Sequence, residues 1–473
     1  MRNWKKLSGL SLKKIEKLQN KRLRYLLQHK IPFSVFYNKL FKKSKIRFSD
    51  IRTLRDLQKL PFTTKADIAP SENEPKKYAD FILTPDKNSI REYSSKLDLI
   101  KYFINKNSVY NEFKPVHIHF TTGRTANAVP FLYTKNDLEN LRESGRRLVD
   151  IIDAKKEDKL VNAFPYAPHL AFWQAFFAAE SSAIFALHTG GGKILGTNKI
   201  IKSIENTKAT LLAFMPGYAY HLLREAKNRK ANFSSVDKVF FGGERVSKNL
   251  REKVKDMLTS LGSKNPQVFA TYAFTEGKVA WIECKENSGY HLYPDFEFIE
   301  IIDKNNERVG SGEKGEIVYT ALDFRGTVVL RYKTGDIGSI SYEKCSCGRT
   351  VPRIGSEIER SSDVKEFNLT KIKGTLINLN SFFDLLHNKN IEEWQVEIKK
   401  RGNDPYEIDE LTVYIAPKKK VDFNNLKKDL QNKLREELEV TPEIIKMDLR
   451  ELLKRLGMET ELKEKRIVDR RVK

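Results

Sequence analysis

Three polar side chains at the end of an apolar run carry the first chemical signal in this sequence. Residues 268–277 read Val-Phe-Ala-Thr-Tyr-Ala-Phe-Thr-Glu-Gly. The β-branched and aromatic start predicts a buried strand, which runs into a loop holding Tyr272, Thr275 and Glu276 at its mouth. An aromatic face can take a purine by stacking, a hydroxyl can donate to a phosphate, and a carboxylate is a hard oxygen ligand for Mg2+. An ordinary strand end competes with that reading, and the flanking segments decide between the two. A second loop, Thr121-Thr122-Gly123-Arg124-Thr125, gathers hydroxyls around a glycine between two predicted strands. Hydroxyls and exposed N–H groups there can donate to phosphate, and glycine permits close approach. It is not a Walker loop, since Gly-x-x-x-x-Gly-Lys-Ser/Thr is absent. The run Gly190-Gly191-Gly192-Lys193 lacks that spacing too and reads as a plain turn.

The cysteines give an independent signal. Cys284-x6-His291 and Cys345-x-Cys347 use all three cysteines of the chain and one histidine. Four soft and borderline ligands in two pairs suit tetrahedral Zn2+ at a closed structural site. The competing reading is three free thiols and an unrelated histidine, but Cys-x-Cys-Gly at a turn is hard to explain by packing.

These groups need elements to position them. A chain of 473 residues is too long for one core and predicts two or three domains. Hydrophobic residues at 40% and charged residues at 31% describe a globular balance, not a disordered one. The net charge of +24 is spread from Lys5 to Lys473 among 62 acidic residues, which favours a lysine-solvated surface over a nucleic-acid footprint. An anionic substrate would still benefit from the field. Three cysteines do not make a disulfide framework. No apolar signal core follows Met1, and the apolar region Leu170–Leu187 is broken by Gln174, Glu180, Ser181 and Ser182. The expectation is a cytoplasmic protein without a transmembrane segment and without a nucleic-acid partner.

Residues 2–45 have helical period, with Leu7, Leu10, Leu12, Ile15, Leu18, Leu23 and Leu26 facing inward. A helical cap packed on the main domain explains them better than a membrane-surface helix, because Phe33, Phe36 and Phe41 continue the apolar pattern. Thr63 or Thr64 starts a short helix, and residues 70–95 read as a polar connection. From Val116 to Leu261 strand and helix patterns alternate, which implies a mostly parallel sheet with helices on both faces. Strands follow at 296–302, 316–320 and 328–332, a β-rich subdomain. After a polar boundary at 355–363 come strands at 391–399 and 411–416 and helices at 425–439 and 441–456, an α+β unit of ordinary domain size.

Six motifs in order carry a family resemblance: Leu60-Pro-Phe-Thr-Thr-Lys-Ala-Asp-Ile68; the Thr/Gly loop followed by Tyr133-Thr-Lys-Asn-Asp-Leu138; Met215-Pro-Gly-Tyr-Ala219; Gly242-Gly-Glu-Arg-Val-Ser247; the Tyr272 stretch; and Arg331-Tyr-Lys-Thr-Gly-Asp336. Together they resemble the phenylacetate–CoA ligase family of the adenylate-forming superfamily. The likeness spans about residues 55 to 363 and a short tail motif. It implies an α/β adenylate-forming fold: an N-terminal helical cap at 1–55, an ATP- and acid-binding domain at 56–360 with its β-rich part, and a mobile C-terminal α+β domain at 361–473. It also implies an AMP-forming reaction, in which a carboxylic acid becomes an acyl-adenylate and then a thioester of CoA or a carrier thiol.

Carried over position by position, Thr121, Thr122, Gly123 and Thr125 resemble the phosphate loop, and Gly242, Gly243 and Glu244 the adenine-pocket segment. Tyr272 would stack on adenine, Thr275 contact phosphate, Glu276 hold Mg2+, Asp336 accept from the ribose hydroxyls and Arg360 contact the ribose at the hinge. Lys463, three residues before Arg466, resembles the lysine that neutralises charge at the α-phosphate, with Lys465 the nearest substitute. The aromatic run Phe164–His169 with Phe172, Trp173 and Tyr218 would line the acyl pocket. The loop departs from the family pattern at Arg124, Ala126 and Ala128, and the hinge at Ser362. Two other readings follow from those departures: an acyl-protein or carrier synthetase or adenylyltransferase that uses no CoA, and a catalytically degenerate basic binding protein of the same fold.

Overall fold

The computed structural model describes residues 3–121, 128–244, 246, 248–360, 369–372, 375–378, 381–388, 390–400, 409–438, 441–458 and 464–471. The chain forms two compact units. One comprises Met1–Leu160, Ala167–Leu187 and Phe269–Ile358, and the other Val161–Tyr166, His188–Val268 and Glu359–Lys473.

In the first unit, the N-terminal helices Trp4–Leu7, Leu12–His29 and Val35–Lys43 bury Leu7, Ile15, Leu23, Leu26 and Phe41, as their period predicts. Of the other positions expected inward, Leu10 and Leu18 are half-buried, and Leu12, which opens its helix, is exposed. Packing of this segment within the unit is anchored by polar contacts. Gln19 Nε2 donates to the Glu297 carbonyl at 3.0 Å, and Trp4 Nε1 to Asp150 Oδ2 at 3.0 Å. The β-rich part is an antiparallel sheet of Glu297–Ile302, Gly315–Ala321 and Tyr332–Gly338. The strand expected at 328–332 is displaced to Tyr332–Gly338. Val328, Val329 and Leu330 are buried, but Arg331 has φ +45°, which breaks the extended run before Tyr332.

Two of the quoted motifs turn out to hold this sheet in place. Thr63 pairs with the start of its third strand, its N–H donating to the Arg331 carbonyl at 3.0 Å and its carbonyl accepting from Lys333 N at 2.9 Å. Thr64 then caps the helix Lys65–Ile68 with Asp67 reaching back, a capping box. Thr134 and Asp137 make a second box at the start of the helix Lys135–Ile151. Asp137 is fully buried, accepts from the N–H groups of Arg325 at 2.7 Å and Gly326 at 2.8 Å, and pairs with Lys278 at 3.0 Å. A buried carboxylate so matched has its charge compensated on every side.

In the second unit, Leu211–Phe214 and Lys238–Phe241 pair in parallel, joined by the helix Pro216–Asn228 as the alternation predicts. Its C-terminal part is a four-stranded sheet ordered Glu443–Lys446, Asp409–Pro417, Ile391–Lys400, Ile467–Asp469. Trp394, Val396, Ile398, Val413 and Ile415 meet Leu426, Leu430 and Leu434 of the helix Phe423–Leu438. Leu452 and Leu456 of a second helix pack with Ala416 and Tyr414. The single helix expected at 441–456 is a strand, Glu443–Lys446, followed by a helix, Leu449–Leu456. Two β-branched residues, Ile444 and Ile445, extend the sheet, and Asp448 then caps the helix by accepting from Arg450 and Glu451 N–H groups.

Candidate active site and metal centre

The strand Tyr332–Gly338 is interrupted by a bulge, with Gly335 at φ +73°, and carries Tyr332 and Asp336 on either side of it. The strand Gln267–Ala273 and the turn after it meet these two residues. Tyr272 donates its phenolic hydrogen to Asp336 Oδ2 at 2.7 Å, and Tyr332 donates to Glu276 Oε1 at 2.8 Å. Residues expected to stack on a base, hold ribose and hold a metal therefore lie on two phenol–carboxylate hydrogen bonds within one unit. The Tyr272 ring is backed by Trp281, with centroids 5.7 Å apart and planes tilted by 31°. Trp281 is its cross-strand partner in the hairpin. Thr275 and Glu276 lie in a single 3-10 turn, Thr275–Gly277, and are half-buried.

Thr121 is buried, and its hydroxyl accepts from Val129 N–H at 3.0 Å, closing the hairpin Pro115–Phe120 with Pro130–Thr134. Thr122, Gly123 and Thr125 lie outside the described residues, as does Lys463; Arg360 falls in a two-residue strand whose side chains are not described. Beside this hairpin runs a chain the sequence reading missed. Tyr133 OH contacts His119 Nδ1 at 2.9 Å, and His119 Nε2 contacts His117 Nε2 at 2.9 Å. Burial, helped by His117 and Lys278, pushes His119 down to about 3, so it is neutral. The alternation of His117 and His119 along the strand was the available signal. His169, at the end of the run Phe164–His169, contacts the Phe120 carbonyl through Nδ1 at 2.9 Å.

In the second unit, a cavity is lined by Pro165, Gly190–Lys193, Met215, Tyr218, Glu244 and Glu464 among others. Pro165 and Tyr218 were expected at an acyl pocket, and Glu244 in the adenine segment; Gly242 N–H donates to the Phe214 carbonyl at 3.3 Å and Gly243 has φ +84°. The Gly190 run, read as a turn, opens a short helix, Gly192–Leu195, and lines this space. A Cβ on Gly192 would fall 2.6 Å from the Tyr218 ring, so any larger residue there would have to displace that ring. Glu464 and Arg466 were not expected to act together. Arg466 Nη2 donates to Glu464 Oε2 at 2.9 Å, and Nη1 pairs with Glu393 at 2.9 Å. A Cβ on Gly217 would fall 2.2 Å from Glu464 Oε2, so this carboxylate sits directly on the helix Pro216–Asn228. Burial, opposed by Arg466 and reinforced by Glu244, raises Glu464 to about 7.

The four residues proposed for zinc converge. Ligand atoms of Cys284, His291, Cys345 and Cys347 lie within 4.8 Å of one another. Cys284 Sγ and Cys345 Sγ are 3.6 Å apart, and Cys347 Sγ and His291 Nε2 3.7 Å. The edge of a tetrahedron with Zn–S of about 2.3 Å is about 3.8 Å, so the donor set fits. Hydrogen bonding to Cys284 holds the Cys347 thiol low, and the same bond pushes Cys284 up: without a cation the thiols cannot all ionise. The loop is tied to distant segments. Arg349 pairs with Asp150 at 2.6 Å, and the Thr350 hydroxyl donates to the Leu10 carbonyl at 2.6 Å.

The sequence pattern of the AMP-binding enzyme family matches residues 18–322. The chain is 25% identical over 361 residues to a phenylacetate-coenzyme A ligase of Thermus thermophilus, covering 76% of this chain and 73% of that protein. It is 23% identical over 415 residues to the phenylacetate-coenzyme A ligase of Escherichia coli, covering 86% and 84%. Among solved structures, 2-hydroxyisobutyryl-CoA ligase in the postadenylation state with 2-HIB-AMP superposes with a TM-score of 0.79 at 20% identity, covering 98% of this chain and 91% of that one.

Proposed function

This chain belongs to the AMP-binding enzyme family, and from that premise we propose that it is an AMP-forming acid–CoA ligase similar to phenylacetate-coenzyme A ligases. A carboxylate oxygen attacks the α-phosphorus of ATP and pyrophosphate leaves. The CoA thiol then attacks the acyl carbon of the acyl-adenylate and AMP leaves. ATP, CoA and an aryl or acyl acid are the substrates, and the cytoplasm, which supplies all three, is the compartment. Among the described residues no helix is long and apolar enough to cross a membrane.

The observation that supports this most is the pair of phenol–carboxylate hydrogen bonds, Tyr272–Asp336 and Tyr332–Glu276. Tyr272, backed by Trp281, would stack on adenine. Asp336, oriented by the Tyr272 hydroxyl, accepts from ribose hydroxyls. Thr275 donates to phosphate from the turn that also carries Glu276. Glu276 offers carboxylate oxygen, the donor type Mg2+ takes, and Tyr332 fixes its direction. Mg2+ when bound would neutralise charge on the phosphates. Lys463 supplies the ammonium for adenylation, the role its tail motif implies. Pyrophosphate exchange that depends on an added carboxylic acid, with a thioester formed when CoA is added, tests the proposal. No exchange with any member of an acid library would sink it.

Cys284, His291, Cys345 and Cys347 would hold a structural Zn2+, which would cross-link the segment 284–291 to the loop 345–347; Thr350 and Arg349 tie that loop in turn to the N-terminal segment and the helix Lys135–Ile151. Metal analysis of the purified chain should give about one zinc per chain, and chelation should lower its melting temperature. Protein free of zinc with unchanged stability would reject the site.

A further inference from the structure

The helix Lys96–Ile104 in the first unit is inside out. Asp98 and Tyr102 face inward, 7% and 6% exposed. Leu97, Ile100, Phe103 and Ile104 face outward, 71%, 56%, 73% and 82% exposed. At 100° per residue these four fill one arc, opposite the buried pair. An ordinary surface helix buries such an arc. Here the orientation is fixed by charge. Asp98 Oδ2 accepts from Ser95 at 2.9 Å, from Tyr25 at 3.2 Å and from the buried Lys30 ammonium at 3.2 Å. Lys30 also pairs with Glu112 at 3.0 Å, and Glu112 with Arg325 at 2.6 Å. Rolling the helix to bury its apolar face would take Asp98 from the buried Lys30 and leave that ammonium with Glu112 alone, a cost of the kind that keeps buried charges paired.

The same network sorts charge by sign. Between Ser95 and Phe120 the acidic residues are Asp98 and Glu112, and both are engaged inward. The lysines of that stretch, Lys96, Lys101, Lys106 and Lys114, are all exposed. An apolar arc flanked by cations whose matching anions are withdrawn fits one partner chemistry. We propose that this face docks on an anionic lipid bilayer, with the apolar side chains at the acyl boundary and the lysines at the headgroups. A second copy of the chain fits poorly, because a two-fold contact sets the patch against itself and confronts lysine with lysine. The proposal does not depend on the ligase reading.

The test is co-sedimentation of the full chain with vesicles of phosphatidylcholine and phosphatidylglycerol, about 3:1, and with phosphatidylcholine alone. Binding to the anionic vesicles, released by salt, is expected. Replacing Leu97, Ile100, Phe103 and Ile104 by Ser should weaken it at least about tenfold, with thermal unfolding unchanged because all four are exposed. A second variant, Lys101→Glu with Lys106→Glu, should weaken it comparably and leaves the apolar arc intact. The proposal is overturned if the wild-type chain ignores anionic vesicles, or if both variants bind as tightly as wild type. It is also overturned if the serine variant converts a vesicle-indifferent dimer to a monomer.

Discussion

Two pairs of carboxylates, one in each unit, are held in opposite ways. In the first unit, Asp336 and Glu276 accept hydrogen bonds from the phenols of Tyr272 and Tyr332. A phenol orients a carboxylate and leaves its charge in place. In the second, Glu464 and Glu393 share the guanidinium of Arg466, which cancels charge as it orients. Arg466 is 6% exposed and stacks over Trp394 at 5.1 Å. One arrangement keeps negative charge ready for a ligand, and the other uses it to fasten the tail strand Ile467–Asp469 and its preceding residues to the sheet and to the helix bearing Gly217. Under the proposed function, the difference separates a site for chemistry from a site for docking.

The largest effect should come from breaking the docking pair. Arg466→Ala leaves Glu464 buried without its cation and Glu393 with Arg224 at 3.6 Å, and should cost about 3–5 kcal/mol in denaturant unfolding of the full chain. A loss confined to activity would mean the pair is not structural. Asp336→Asn reverses the pattern: stability should hardly change, while acid-dependent pyrophosphate exchange falls by about a hundredfold, the scale of losing one well-placed polar group. Tyr332→Phe removes only the bond that aims Glu276, so a fall of about tenfold is expected, the worth of a hydrogen bond to a charged group. Equal damage from Tyr332→Phe and Glu276→Gln would show that the phenol does more than orient.

The smallest effect, and the one that sharpens the contrast, is in pH. His119 in the first unit is pushed down to about 3. Its contribution is therefore full above pH 6.5 and is lost as pH falls toward 3, because the unfolded imidazole takes up a proton that the folded one refuses. Glu464 in the second unit is raised to about 7. Its contribution is full below about pH 4.5 and is lost as pH rises through 7, since the folded carboxyl holds a proton that the unfolded one has released. Acid should loosen the first unit and neutral to alkaline pH the second. Melting curves of His119→Gln and Glu464→Gln across pH should each flatten one limb; one variant flattening both would dissolve the distinction.

The carboxylates of the chemical region were legible from their motifs. Their partners were less so. Tyr332 stood inside a quoted motif, but the apolar run Val328–Leu330 suggested a strand four residues early, and the shift conceals that Tyr332 and Asp336 lie on one bulged strand. The docking region was hardly legible. Glu464 and Arg466 sit in a tail rich in lysine and arginine, where local charge gives no sign of which residues are buried. Their partners, Gly217 and Glu393, lie 247 and 73 residues earlier in the chain, and no local pattern encodes such separations. Ile444 and Ile445 misled in the other direction: between helical patterns they read as helix, and only the neighbouring strand Asp409–Pro417 makes them strand. The cysteine cluster was the most legible feature, because metal-ligand spacing depends on residue type alone.

The most direct test uses a carboxylic acid labelled with 18O in its carboxyl group, incubated with the chain, ATP and CoA. Direct attack of carboxylate oxygen on the α-phosphorus predicts one 18O atom in the AMP released with each thioester. Unlabelled AMP, or ADP in its place, would contradict it.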